Sequence, residues 1–132
     1  CIAQVEAALQ WTVDYTNERK AFGKPLTGFQ NTRFKLAEIQ AEMVTQRVFI
    51  DKCIELLLAG ELDAVTGAIA KMKTSEFMCQ ALDDCLQMHG GYGFMAEFPI
   101  AKAWADNRYA RIAAASTEIM KEIISRELTG QR

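Results

Sequence analysis

The sequence predicts an all-α fold: an antiparallel up-and-down helix bundle with two very long central helices plus shorter C-terminal helices. Three observations predict it. Helix breakers are scarce, with 2 Pro and 8 Gly among 132 residues, and each costs about 1–3 kcal/mol inside a helix. Apolar residues recur at spacings of three and four over most of the chain. Half of the residues are apolar and 24% are charged, which fits a globular domain with a core rather than a disordered chain. The length suits one domain, residues 1–132.

The first helix carries the stripe Ile2, Val5, Leu9 and Thr12/Val13, with Glu6, Gln10 and Asp14 elsewhere on the wheel. It ends before the breaker cluster Gly23-Lys24-Pro25. The stripe is in phase from the first residue with no cap before it, and position 1 is not Met. Those two facts predict a fragment whose first helix begins upstream. The second helix is expected from about Asn31 to Ala59, with Leu36, Ile39, Met43, Phe49/Ile50, Cys53/Ile54 and Leu57 as its stripe. Asn31 or Thr32 would cap it and Gly60 would end it. At 1.5 Å per residue it would be roughly 40 Å long.

The third helix is expected from near Asp63 to His89, with Val65, Ile69, Met72, Cys79, Leu82 and Leu86 inward and Gly90-Gly91 as its stop. Gly67 within it implies close packing against another helix, since Gly there costs about 1 kcal/mol against Ala. A glycine-dense loop, Gly90-Gly91-Tyr92-Gly93-Phe94, follows. Pro99 suits a first helical position and opens a shorter helix with Ile100, Trp104 and Tyr109. Ala113-Ala114-Ala115-Ser116 interrupts the pattern, and Ser116 or Thr117 would cap a last helix through Leu128. No internal repeat, linker or low-complexity tract is visible.

Composition excludes several function classes. Net charge is −2 and no basic run exists, which argues against a nucleic-acid surface. The longest apolar stretch, Ile54–Ala59, is broken by Glu55 and far too short to span a bilayer. No signal-peptide pattern opens the chain. The cysteines Cys1, Cys53, Cys79 and Cys85 form no CxxC pair and read as reduced thiols in a cytoplasmic (bacterial) or mitochondrial-matrix compartment. A single His, His89, and the cysteine spacing leave no metal site. Cys85 and His89 stand one helical turn apart. The favoured reading is a core thiol and a helix-ending imidazole with partial positive charge from the dipole, rather than a nucleophile and its base. Asp83-Asp84 diverge around the helix and read as a solvated face.

Three segments carry candidate chemistry. In Arg19-Lys20-Ala21-Phe22-Gly23-Lys24-Pro25, followed by Phe29-Gln30, a guanidinium at a helix end is suited to a phosphate; a plain surface Arg is the alternative. In Gln87-Met88-His89-Gly90-Gly91-Tyr92-Gly93, bare backbone allows close approach of a ligand; a simple helix stop is the alternative. In Ala113-Ala114-Ala115-Ser116-Thr117-Glu118, a loop feeding a helix N-terminus offers N–H groups to a negative oxygen; a capped turn is the alternative.

Taken in this order, the segments resemble the C-terminal helical domain of the acyl-CoA dehydrogenase family over nearly the whole chain. The family's Arg, Phe-Gly and Phe/His-Gln pattern is met by Arg19, Phe22-Gly23 and Phe29-Gln30. Its Gln-x-x-Gly-Gly-x-Gly-aromatic pattern is met by Gln87, Gly90, Gly91, Gly93 and Phe94. Glu97-Phe98-Pro99, Asp106-x-Arg108 and Ser116-Thr117-Glu118-Ile119 follow as they do in the family. His-Gly-Gly, Glu-Phe-Pro-Ile-Ala-Lys and Glu-Ile-Met-Lys-Glu look most similar to its long-chain branch.

The resemblance implies an FAD enzyme of fatty acid metabolism that removes the α-hydrogen of an acyl-CoA as a proton and the β-hydrogen as a hydride. It implies electron-transfer flavoprotein as the acceptor, a homotetramer with this domain at its core, and N-terminal helical and middle β domains outside this chain. Arg19, Phe22, Gln30, Gln87, Gly90 and Gly91 would contact the cofactor held mainly by a neighbouring subunit. Ser116 and Glu118 would lie near the subunit's own FAD. Many members carry a catalytic Glu where this chain has Ala114. A long-chain and isovaleryl branch instead takes the base from the first helix, about two turns before the position matching Cys1. Ala114 would then serve through its backbone N–H alone, a donor that proline at 114 would delete. Glu6 reads as a solvent-facing residue rather than a substitute base. The competing expectation is a non-catalytic assembly subunit of the same fold.

Overall fold

A computed structural model describes residues 1–131. Its helices are α1 (Ile2–Glu18), α2 (Gln30–Ala59), α3 (Ala64–His89), α4 (Pro99–Asn107) and α5 (Thr117–Thr129). The all-helical bundle is as expected, and α2 and α3 are the two long central helices, with 30 and 26 residues. At 1.5 Å per residue, α2 is about 45 Å long.

One element is new. Lys20–Ala21 (β1) and Lys24–Pro25 (β2) pair antiparallel, with Lys20 opposite Pro25 and Ala21 opposite Lys24. Phe22 and Gly23 between them have φ of 52° and 81°, the doubly left-handed backbone of a two-residue hairpin turn. A bulky residue at the first of these positions is uncommon. Short 3₁₀ turns at Leu26–Gly28, Gly90–Phe94 and Arg108–Arg111 join the remaining elements. Tyr109 therefore lies in the last of these and not in α4.

α3 is the hub, packed against α1, α2, α4 and α5. Its buried residues are Ala68, Ala70, Thr74, Ser75, Met78, Ala81, Leu82, Cys85 and His89. That face is rotated from the expected stripe, whose Val65, Ile69, Met72, Cys79 and Leu86 are only half-buried. A helix surrounded on several sides needs small side chains where axes approach, because interaxial distance follows the residues at the contact. Val5, Ala8, Ile39, Met78, Leu82 and Ile100 form the centre of the core. Each large one contributes about 1.5–3 kcal/mol by leaving water. Gly67 is not a close-packing point: a Cβ there would meet only the Leu62 side chain, at 3.9 Å.

The helix ends also differ from expectation in detail. Asp63 caps α3, its Oδ1 accepting from the Thr66 N–H at 2.8 Å. Gly60, at φ 73°, ends α2 as expected. α2 begins at Gln30 after Phe29 with no side-chain cap, because the preceding 3₁₀ turn sets its entry and Arg33 Nη1 donates to the Thr27 carbonyl at 2.9 Å. Ile54 and Leu57 are 48% and 63% exposed. Glu6 near the start of α1 pairs with Arg47 of α2 at 2.7 Å, so the last turns of α2 run on past α1.

Candidate functional site

The candidate residues fall at two separate places. The first is the C-terminal end of α3. Arg19 follows the last turn of α1, and its N–H bonds the Tyr15 carbonyl at 2.8 Å. Tyr15 and Arg19 are one turn apart, so they share a face. The Tyr15 ring stacks on the His89 ring at 4.3 Å, and its hydroxyl donates to the His89 carbonyl at 3.0 Å. The Arg19 guanidinium lies over the Tyr92 ring, 5.4 Å from its centroid, a cation–π contact. Tyr15, Arg19, Leu26, His89, Gly90, Gly91, Tyr92 and Met95 line a cavity of about 690 Å³.

The chemistry of this cavity suits an anionic group with apolar surroundings. α3 alone presents the negative pole of its dipole here. Tyr15 occupies the last carbonyl, and Arg19, exposed and without an ion pair among the described residues, supplies the opposite charge. Gly90 has φ 58° and ψ −137°, a conformation natural only to glycine. A Cβ on Gly91 would meet nothing within 4 Å, which leaves bare backbone facing the open side. Gly93 differs: a Cβ there would stand 2.5 Å from the Leu86 carbonyl oxygen, so this glycine serves packing.

His89 and Cys85 do not form a reactive pair. Cys85 is fully buried, and burial pushes its thiol up to about 11. His89 Nδ1 faces the Cys85 carbonyl, not the thiol, at 2.8 Å, and therefore carries the ring proton. Burial lowers the His89 pKa, so the imidazole is neutral rather than partly charged as the dipole argument suggested. Desolvation outweighs the helix end here.

The other candidates at this end stay outside the cavity lining. Phe22 stands at the hairpin tip, 96% exposed, its ring edge-on to Phe29 at 6.4 Å. Gln30, next to Phe29, is exposed at the start of α2, and Gln87 is exposed on the last turn of α3. Glu6 is solvent-facing and paired with Arg47. Asp83 and Asp84 diverge as expected: Asp83 accepts from Trp104 Nε1 at 2.9 Å and Asp84 lies 3.8 Å from Lys35.

The second place is the connection between α4 and α5. Ala114 and Ala115 have φ of 51° and 78°. L-residues adopt this backbone at a cost of order 1–3 kcal/mol each. The loop is tied at both sides. The Lys71 ammonium of α3 donates to the Ala115 carbonyl at 2.6 Å, and Thr117 Oγ1 donates to the Arg111 carbonyl at 3.5 Å. Ala113 N–H bonds the Tyr109 carbonyl at 3.0 Å, and among the described residues the Ala114 N–H has no backbone acceptor. Ser116 precedes α5 without capping it. Glu118's own N–H and the Ser116 hydroxyl hold the Glu118 carboxyl below its usual range. A φ of +51° is closed to proline, so Ala114→Pro would break the loop as well as delete the donor.

Lys71, beside the second place, and His89, at the first, are eighteen residues apart on α3, about 27 Å along its axis. The fold thus gathers Arg19, Gly90 and Gly91 at one end and Ala114, Ser116 and Glu118 near the other. Sequence reasoning missed Tyr15 and Lys71, and it placed Tyr92 in a candidate segment without a role. The i, i+4 spacing of Tyr15 and Arg19 was the available signal for the first. Nothing in the sequence pattern marked Lys71, because its partner lies 44 residues away.

Fold and geometry define a helical domain with its candidate residues at two separated places. Over residues 1–129 the chain matches the acyl-CoA dehydrogenase C-terminal domain, and it belongs to the acyl-CoA dehydrogenase family. It is 39% identical over 127 residues to the mitochondrial long-chain specific acyl-CoA dehydrogenase of Rattus norvegicus, covering 96% of this chain and 30% of that protein. The crystal structure of an acyl-CoA dehydrogenase from Geobacillus kaustophilus superposes with a TM-score of 0.93 at 35% identity, over 96% of this chain and 33% of that one. Butyryl-CoA dehydrogenase from Megasphaera elsdenii gives a TM-score of 0.92 at 30% identity, over 97% and 33%. The chain therefore spans about a third of the length of the relatives it matches. No helix among the described residues is long and apolar enough to cross a membrane.

Proposed function

We propose that the complete protein carrying this domain is an FAD-dependent acyl-CoA dehydrogenase that desaturates an acyl-CoA thioester between the α and β carbons. The observation that carries this reading is the division of the site residues between two ends of α3, one chemically suited to a diphosphate and the other presenting a free N–H on a strained loop. The flavin, when bound, accepts the hydride from the β carbon. Arg19 would hold the diphosphate of that cofactor by charge-assisted hydrogen bonds, Gly90 and Gly91 would let it approach the backbone, and Phe22, Gln30 and Gln87 would contribute from the same end. The separation of about 27 Å along α3 supports assigning these residues to a neighbouring subunit's cofactor.

Ala114 donates its N–H to the thioester oxygen. This hydrogen bond strengthens as the α-proton leaves and negative charge collects on that oxygen. Ser116 and Glu118 border the subunit's own cofactor. Alanine accepts no proton, and the resemblance to the long-chain and isovaleryl branch assigns the base to a carboxylate on the first helix, upstream of the position matching Cys1. The partners are acyl-CoA, electron-transfer flavoprotein and further copies of the same chain, in a bacterial cytoplasm or mitochondrial matrix. Self-association is supported by the outer face of α2, where Phe34, Val44, Val48 and Leu58 are 57%, 51%, 67% and 84% exposed.

The test is anaerobic mixing of the complete protein with acyl-CoA thioesters while the flavin absorbance is followed. Bleaching by a saturated thioester supports the reading, and a flavin that no acyl-CoA reduces overturns it. Arg19→Ala should release FAD more readily, by about 1.5–3 kcal/mol of lost charged hydrogen bonding, with less effect on the rate of the retained fraction.

A further inference from the structure

We propose that Lys71 is a positioning residue of the acyl-CoA site: its ammonium fixes the Ala114–Ala115 loop and adds a positive charge behind the donor that faces the thioester oxygen. This rests on the reading of Ala114 given above and assigns a residue to it that lies 43 positions away in sequence. Lys71 is half-buried on α3, in register with the buried face between Ala68 and Thr74. A lysine there loses hydration and gains no ion pair among the described residues. Its partner is the Ala115 carbonyl, at 2.6 Å, a short charge-assisted hydrogen bond.

The bond falls where the backbone needs it. Ala114 and Ala115 both have left-handed φ, and alanine has no side chain with which to hold such a turn. α3 clamps the α4–α5 connection in antiparallel order: the Cys79 thiol on the Asn107 carbonyl at 3.6 Å, Glu76 near Arg111 at 3.8 Å, and Lys71 on Ala115. Lys71 is the clamp nearest Ala114 and the one that carries full charge to a carbonyl. Without it the loop is free to relax toward ordinary φ, which re-aims the Ala114 N–H. The charge also favours negative charge building on the thioester oxygen.

Lys71→Met keeps the length of the stem and removes the charge and the donor. Lys71→Arg keeps both. In the complete, flavin-loaded protein, the readout is the carbonyl stretch of a bound enoyl-CoA with an isotopically labelled thioester, taken as a difference spectrum. The wild type should lower that frequency relative to free ligand. Lys71→Met should lose most of the lowering and about tenfold or more in kcat, with FAD content unchanged, while Lys71→Arg retains both. The kcat deficit of Lys71→Met should shrink with thioesters whose α-proton is more acidic, since these need less help at the oxygen. A defect of general folding would slow all substrates alike.

A Lys71→Met protein with the wild-type carbonyl shift and turnover overturns the proposal. If the Met variant does not accumulate as holoprotein, Lys71→Arg decides: full retention of the shift supports the role, and a folded, flavin-loaded Arg variant without the shift overturns it. A wild type that desaturates no acyl-CoA refutes the underlying enzymatic reading, an outcome distinct from a normal Lys71→Met.

Discussion

Gly93 and Gly91 lie two residues apart in the same turn, yet substitution by alanine should affect them in opposite ways. A Cβ on Gly93 would stand 2.5 Å from the Leu86 carbonyl oxygen and 3.1 Å from Leu86 Cγ. Ordinary carbon–oxygen contacts begin at about 3.3 Å, so the turn or α3 must give by about 0.8 Å. The obstructing atom is a backbone oxygen in the last turns of a packed helix and cannot rotate away. Overpacking of this kind costs about 1–3 kcal/mol, against a gain of at most about 1 kcal/mol from removing a glycine from the unfolded chain. A Cβ on Gly91 meets nothing within 4 Å, and its φ is not left-handed, so only the small gain applies. The two variants should differ by about 2 kcal/mol. With a urea m-value of about 2 kcal/mol/M, that is a midpoint difference of about 1 M, read by circular dichroism on the 132-residue chain. In the complete protein, Gly91→Ala should nevertheless loosen FAD, because its methyl group occupies the open side of the cavity. Equal urea midpoints for the two variants would refute the packing role assigned to Gly93.

Three further outcomes are expected. Tyr15→Phe removes the hydrogen bond to the His89 carbonyl while keeping the ring stack, and should cost about 0.5–1.5 kcal/mol in urea unfolding; no change would mean water replaces the hydroxyl fully. Burial lowers the His89 pKa in the folded chain, so below about 6.5 the unfolded state binds the extra proton first. Stability from this group should be intact above pH 6.5, fall as pH drops toward the folded value and level off beneath it, and His89→Gln should flatten that part of a stability–pH curve. Val48→Glu, on the exposed outer face of α2, should shift the protein toward monomer in sedimentation, whereas an unchanged association state would place the interface elsewhere.

Periodicity made the bundle legible, because helices of 26 and 30 residues repeat their pattern many times and a few misplaced residues do not hide it. It located the buried face of α3 poorly. The expected stripe followed the large side chains alone, whereas the hub position buries small ones, Ala68, Ser75, Ala81 and Cys85, beside Met78 and Leu82. The hairpin was invisible because its strands are two residues each and its turn uses Phe22 where Asn or Gly gives the usual signal. Arg19, Gly90 and Gly91 were legible as candidates because the chemistry is local: a charge or a bare backbone beside a helix end. The Lys71–Ala115 bond spans 44 residues, and nothing in a one-dimensional pattern marks that contact before the connection is seen to fold back along α3. Nor does sequence announce left-handed alanines, since alanine is the strongest helix former.

The placement of backbone strain ties these observations together. Among the described residues the non-glycine positions with positive φ are Phe22, Ala114 and Ala115, and all three lie in the segments singled out for cofactor or substrate. Glycine would relieve the cost at each position, and glycine is used freely nearby, at Gly23 and Gly90. What retains a side chain at Phe22 is not the core, because the ring is 96% exposed and touches Phe29 only edge-on. An exposed aromatic on a strained two-residue turn is held there by the paired short strands and by the edge-on contact with Phe29. The same logic applies to the alanine loop, held by Lys71 on one side and Thr117 on the other. At the alanine loop an anchor comes from the hub helix α3, through Lys71, whereas at Phe22 the paired strands hold the turn, so in each place residues outside the strained ones supply the free energy that keeps the turn in one conformation.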